Sequence, residues 1–333
     1  MVLIANLPSE IWQLIINKVD FQSQIRLIQV SRQFKNLLLL NFYNICPSYL
    51  EKFNDNILTK YPNIRSLNIY FNPDVKDINH FVYLRKLGAQ GNCLIDDKAI
   101  KDLTNLTELN VYGNSKITDL NHLTKLRILD ASSFIGYSLG TRQTCGLGDD
   151  GITSLTNLIE LDINCNPRIT NITHLIKLKR LKASGSCGVD DDGFKNLTNL
   201  IELDVHNNHK ITKIKHLIKL KKLNASGSSG ISDNSGISNL TNLIQLYINR
   251  NLNITNVNHL IDLVDLNISE TCGVNDDGIK DLTNLTRLVI NNNRKITNIN
   301  HLVKLRVLWN SKSQITDIKN LTNLTELNGN KIS

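Results

Sequence analysis

Apolar residues recur on a fixed spacing along most of the chain. The phrase Leu-Thr-Asn-Leu-x-x-Leu begins at Leu103, Leu155, Leu197, Leu240, Leu282 and Leu321, the last five starts lying 42, 43, 42 and 39 residues apart. A second phrase starts 20 residues after each of the first five, at Leu123, Leu175, Leu217, Leu260 and Leu302, and a degenerate pair starts at Tyr61 and Phe81. Each unit reads Leu-x-x-Leu-x-x-Leu-x-Leu-x-x-Asn, as in Leu155, Leu158, Leu161, Ile163 and Asn166. The alternation Leu161-x-Ile163 has the period of a short strand with one buried face. So short a unit cannot bury its own apolar edge, and neighbours must stack on a shared core. The spacing predicts an α/β repeat solenoid with a parallel-strand concave face over residues 61–333, in about 13 units alternating between 20 and 22–23 residues.

Two polar signals sit inside the repeat. Asn72, Asn114, Asn166, Asn208, Asn251 and Asn293 return at the strand exit, where an amide can satisfy backbone groups of a turning chain. The longer units add Asp-Asp-Gly-Ile, as at Asp276, Asp277, Gly278 and Ile279, where Asp is expected to cap a single helical turn. The period breaks once. Leu123 to Leu155 spans 32 residues where Leu175 to Leu197 spans 22, which places an insertion at Phe134–Gln143. Its apolar content predicts a loop over the concave rim that contacts a partner through Phe134, Tyr137 and Arg142; a neutral insertion is the other reading.

Residues 1–44 follow a helical pattern instead. Pro8 suits the first position of a helix and Glu10 its positive end. Ile11, Ile15 and Val19 mark one apolar face, Trp12 and Ile16 a second. Ser23 and Ser31 are expected to cap two further short helices that carry Leu27, Val30 and Phe34. So small a helical box with two apolar faces needs something to cover it, either another protein or the first repeat. Residues 45–60 form a linker or cap, in which Tyr49, Phe53, Ile57 and Leu58 would make a short amphipathic helix over the solenoid's first edge.

The repeat, in period and register, resembles the leucine-rich-repeat family, and its Asp-Asp-Gly phrase resembles the cysteine-containing repeats of F-box proteins. The N-terminal phrase LPSEIWQLIINKVDFQSQIRLIQVSRQF resembles the F-box, matching at Leu7, Pro8, Glu10, Ile11, Leu27, Val30, Ser31, Arg32 and Phe34, with Phe34 where many members carry Trp. The resemblance implies a box, including Ile15, that docks on the Skp-family adaptor and through it on the cullin of a ubiquitin ligase, while the repeats recruit a protein substrate. The Asn/Ile/Lys-rich composition resembles F-box/repeat proteins of amoebal giant viruses, which would put the chain in a host's cytoplasm or nucleus. A plain repeat scaffold or inhibitor with a capping helical box is the alternative.

Composition alters this little. The formal charge of +8 is spread among 38 basic and 30 acidic residues, so neither nucleic acid nor membrane is expected as a partner. The basic run Lys210–Lys222 lacks interleaved aromatics and reads as a solvated face. Cys46, Cys93, Cys145, Cys165, Cys187 and Cys272 form no CxxC pair, and the apolar start lacks a basic leader and cleavage site, so a reduced cytoplasmic chain, monomeric before assembly, is expected. His80, His122, His174, His216, His259 and His301 each precede a unit's leading residue on every second coil. At about 10 Å between neighbours they are too far apart to share a metal ion. No catalytic motif is present, and neither enzymatic activity nor a cofactor is expected.

On the concave face the column before the middle strand Leu runs Glu108, Ile128, Glu160, Arg180, Glu202, Lys222, Gln245, Asp265, Arg287, Val307. Acid and base alternate, which predicts ion pairs between neighbouring strands. Toward the C-terminal end Tyr247, Arg250, Arg287, Val289, Val307 and Trp309 have the character of a protein-binding patch, unless the last half-unit covers Trp309.

Overall fold

The structure is a computed structural model that describes residues 8–16, 18–30, 40–43, 45, 47–135 and 142–332. The chain divides into two compact units, Met1–Leu161 and Asp162–Ser333. The fold is a parallel-strand solenoid of about 14 turns with a small helical N-terminal region. Among the described residues no helix is long and apolar enough to cross a membrane.

In the first unit, helices α1 (Ser9–Ile16) and α2 (Phe21–Val30) precede strand β1 (Leu40–Phe42), which pairs in parallel with β2 (Ile64–Asn68). This strand adds a coil upstream of the repeat. β3 (Lys86–Gly88), β4 (Glu108–Asn110) and β5 (Ile128–Asp130) follow in parallel register, with Leu67, Leu87, Leu109 and Leu129 side by side. Where one amphipathic helix was expected between 45 and 60, two single turns form, Pro47–Leu50 and Asp55–Leu58. The chain turns at residues 51–52 between them, and Leu50, Phe53 and Leu58 go into the core, where Phe53 stacks on Phe42. At the two ends of the insertion β6 (Phe134–Ile135) and β7 (Arg142–Gln143) pair antiparallel, and β8 (Glu160–Asp162) contains the point of division.

The second unit continues the pattern through β9 (Arg180–Lys182), β10 (Glu202–Asp204), β11 (Lys222–Asn224), β12 (Gln245–Tyr247), β13 (Asp265–Asn267), β14 (Arg287–Val289) and β15 (Val307–Trp309). Each is paired in parallel with the next, and β16 (Glu326–Leu327) folds back onto β17 (Asn330–Lys331), so the last parallel edge is covered by an antiparallel turn. The leucines at every third position are buried, from Leu175 and Leu178 to Leu302 and Leu305. At the strand exit the chain turns through the left-handed region. Gly227 adopts φ +67 there, and a Cβ on it would lie 2.0 Å from Asn207 Oδ1.

The strand-exit asparagines are buried and bridge coils. Asn72 donates to the carbonyls of Leu50 and Phe53 and accepts from Asp74 N and Val75 N, and Asn114 and Asn251 repeat the arrangement. The Asp-Asp-Gly expectation holds in part. Asp96, the first of the pair Asp96-Asp97, caps its turn by accepting from Ala99 N, and Asp190 caps Asp191–Phe194, but ahead of Asp276 the cap is Asn275, accepting from Gly278 N. Asp276 instead reaches the next coil, where it takes the N–H and hydroxyl of Thr297, as Asp97 does with Thr118 and Asp191 with Thr212. Likewise Asp20, not Ser23, caps α2, accepting from Ser23 N at 2.8 Å: Ser23 lies at the third helical position, inside the first turn.

Candidate functional site

Helix α1 has two apolar faces with different fates. Trp12 and Ile16, one turn apart, are buried. Ile11, Leu14 and Ile15, at the i, i+3, i+4 spacing of one stripe, are 40%, 62% and 37% exposed. Pro8 opens the helix, its carbonyl accepting from Ile11 N and Trp12 N. Helix α2 is tied to the first strand, because Gln24 is buried and its Oε1 accepts from Asn41 N. Leu27 is half-buried on α2; Glu10 and Val30 fall within α1 and α2; Leu7, Ser31 and Phe34 lie outside the described residues. Leu14, which the sequence reading passed over, completes the exposed stripe.

The open face of the sheet carries the expected ion pairs. In the first unit Lys86 meets Glu108 at 2.8 Å. In the second Lys182 meets Asp162 at 3.1 Å and Lys222 meets Glu202 at 3.1 Å, with Arg180 in register with Glu202 and Lys182 with Asp204. Toward the C-terminal end the buried carboxylate of Asp265 gathers two of the named patch residues: Tyr247 donates its hydroxyl at 2.8 Å and Arg287 its guanidinium at 2.9 Å. Burial and the Asp265 bond raise the Tyr247 phenol, so it stays a donor at neutral pH. Arg250 pairs with Glu270. Trp309 is 37% exposed, its indole N–H held by Glu326 Oε1 at 2.9 Å, so the last half-unit tethers the ring without covering it. Val307 is half-buried. Val289 departs from expectation: it is buried, in register between Asn267 and Trp309, whose side chains flank it.

At the insertion Phe134 is exposed and is in register with Gln143 of β7; Gln143 lies against Gly113 at the exit of β4. Arg142 is in β7, and Tyr137 lies outside the described residues.

Three histidines of the ladder bridge neighbouring coils. His122, His259 and His301 each bond through Nε2 to a carbonyl of the preceding coil, those of Ile100, Ile237 and Ile279, at 3.0–3.1 Å. Among the described residues no group of His, Cys, Asp or Glu is placed to hold a metal ion. Cys93, Cys165, Cys187 and Cys272 are free thiols, and burial pushes Cys187 up to about 11, which makes it a poor nucleophile at neutral pH.

A stack of parallel coils with an exposed sheet face and an appended helical box defines a leucine-rich-repeat solenoid. The particular appendage is specific: residues 4–42 match the F-box domain family. Among solved structures the chain is similar to the internalin inlF of Listeria monocytogenes, at 23% identity over 81% of this chain and 88% of that one, with a TM-score of 0.59. It is also similar to the functional domain of InlJ from the same organism, described as including a cysteine ladder, at 20% identity over 87% of this chain and 66% of that one, with a TM-score of 0.53. These likenesses establish the solenoid fold. No curated protein matches the chain.

Proposed function

We propose that this chain is a non-catalytic adaptor whose F-box docks on the Skp-family subunit of a cullin–RING ubiquitin ligase and whose repeats present a protein substrate, in the cytoplasm or nucleus of the cell that supplies the ligase. The observation that carries the reading is the divided helix α1 within an F-box match. Trp12 and Ile16 anchor the helix, while Ile11, Leu14 and Ile15 are left to be covered. Closing the part of each such side chain still open to water favours association by roughly 0.5–1.5 kcal/mol. Capture of substrate is assigned to the open sheet face around Tyr247, Arg250, Arg287, Val307 and Trp309, and to the insertion, whose sequence carries Phe134, Tyr137 and Arg142. The match to the F-box family and the buried anchors within one short segment support the docking role more than a purely capping one. The bond from Asn41 N to Gln24 favours capping as a second, compatible role, since it joins the box to the first strand.

Gel filtration of the full chain with a purified Skp-family adaptor tests the reading. Co-elution is expected for the parent and its loss for the Leu7→Ala/Pro8→Ala double variant, with the far-UV circular dichroism of the repeats unchanged. Failure of the parent to co-elute, with the double variant destabilising the repeats, would leave the box as a cap only.

A further inference from the structure

The second unit has an unassigned surface on the strand-entry side, apart from both the box and the open sheet face. Four residues before the middle Leu-containing strands of alternate coils the chain exposes Ile176, Ile218, Ile261 and Val303, which are 54%, 55%, 57% and 49% exposed. They head the tetrads Ile176-Lys-Leu-Lys, Ile218-Lys-Leu-Lys, Ile261-Asp-Leu-Val and Val303-Lys-Leu-Arg. The third residue of each, Leu178, Leu220, Leu263 and Leu305, is buried and pins the tetrad to the core. Val264, the last residue of the third tetrad, and Ile244, between the second and third, add exposed aliphatic surface. Singly exposed aliphatic residues are ordinary on a protein surface; here they recur in line at a fixed interval, which is what a repetitive ligand could use.

Two features specify what it would bind. The first is charge. The tetrads contribute Lys177, Lys179, Lys219, Lys221, Lys304 and Arg306 against the single acid Asp262. Two of these ammonium groups are held in place, Lys219 by Asn199 Oδ1 at 2.7 Å and Lys304 by Asn284 Oδ1 at 2.6 Å. The second is spacing. Each exposed aliphatic residue is fixed through its carbonyl by an asparagine of the following coil: Asn199 to Ile176, Asn242 to Ile218, Asn284 to Ile261 and Asn323 to Val303, at 2.8–3.0 Å. Strands β9 to β15 are each hydrogen-bonded to the next, so residues two coils apart repeat at about 9.6 Å. A polyproline II segment has three residues per turn and a rise of ~3.1 Å, so it brings every third side chain to one side at about 9.3 Å. A β-strand alternates faces, and its every-third residues point to opposite sides.

We propose that this face is a docking groove for an acidic polypeptide segment in the polyproline II conformation, with an aliphatic residue at every third position set against Ile176, Ile218, Ile261 and Val303 and carboxylates between them facing the lysines. Fixed ammonium groups and a fixed repeat suit an ordered peptide, where an anionic membrane would require neither.

The test uses the full chain and a fluorescein-labelled peptide of four Leu-Glu-Pro repeats, read by fluorescence anisotropy at low ionic strength. Saturable binding is expected, weakened roughly tenfold or more by Ile218→Glu/Ile261→Glu, whose exposed positions leave the thermal melt unchanged. A peptide with Lys for Glu, and one of the same composition with Leu at every fourth position, are expected to bind at least tenfold more weakly. The proposal is overturned by absence of saturable binding, by equal affinity for the three peptides, or by an unaffected double variant. Sedimentation with phosphatidylserine-containing vesicles that the double variant abolishes, without peptide binding, would assign the face to a membrane instead.

Discussion

Asn114 shows how single polar residues hold this fold. Its amide N–H groups serve the carbonyls of Ala89 and Ile95, at 2.9 and 3.2 Å, and its oxygen takes the N–H groups of Lys116 and Ile117. Asn114 itself is fully buried where the chain leaves the sheet. Asn114→Ala strips these groups of their partners, and a loss of about 2–3 kcal/mol is expected in urea unfolding; a loss below about 0.5 kcal/mol would mean that the backbone re-pairs without it. His206 and Asp204 make a second residue-level case, Nδ1 to Oδ1 at 2.8 Å. The Asp204 bond raises the imidazole above its usual 6.5 against the opposing effect of burial. Burial raises the Asp204 carboxyl, but bonds from the His206 ring and backbone and from Asn224 outweigh it and hold Asp204 below 3.8. The His206 contribution to stability is therefore complete below 6.5 and lost as pH rises through its higher folded value. The Asp204 contribution is present above 3.8 and lost as pH falls through its lower folded value. An NMR titration is expected to place His206 above 6.5 in the parent and at or below 6.5 in Asp204→Asn; coincident curves would remove the pair from the account.

Among the elements, the short outer turns do more than connect strands. Asp276 takes Thr297 N at 2.8 Å together with the Thr297 hydroxyl and Asn298 N, clamping one coil to the next from outside while Asn293 bridges coils from within. Asp276→Ala is expected to lower stability by about 1 kcal/mol, with Thr297→Val giving part of that loss and the double variant adding little. Full additivity of the two would show that they act apart. The clamp was not legible in the sequence for a physical reason: an Asp at the start of a short helical turn can serve that turn's own N–H groups, and only coordinates reveal that the neighbouring coil takes it instead. Strand positions were legible because leucine spacing can be satisfied only one way in a stacked coil. Exposure was less so, as Val289 shows, since flanking by Asn267 and Trp309 depends on the neighbours' side chains and not on its own column. The α1 stripe was half legible: the helical spacing separates Ile11 and Ile15 from Trp12 and Ile16, but only the fold reveals which pair is buried.

Across the whole molecule, two kinds of surface carry the proposed work, a helical box that engages the ligase and coils that present side chains at a fixed pitch. The repeat made the solenoid legible at once, whereas the upstream strand β1 escaped because Leu40, Asn41 and Phe42 are too few to display a period. The central claim is that the exposed stripe of α1 is an adaptor-binding surface and its opposite face an anchor. It is tested most directly by calorimetric titration of a purified Skp-family adaptor into the full chain, comparing the parent with Ile11→Glu/Ile15→Glu, while thermal melts follow the fold. The expected result is a loss of affinity of roughly a hundredfold or more in the double variant with an unchanged melt, since two exposed aliphatic contacts are replaced by charge. An unchanged affinity, or a parent that gives no binding at all, would contradict the account.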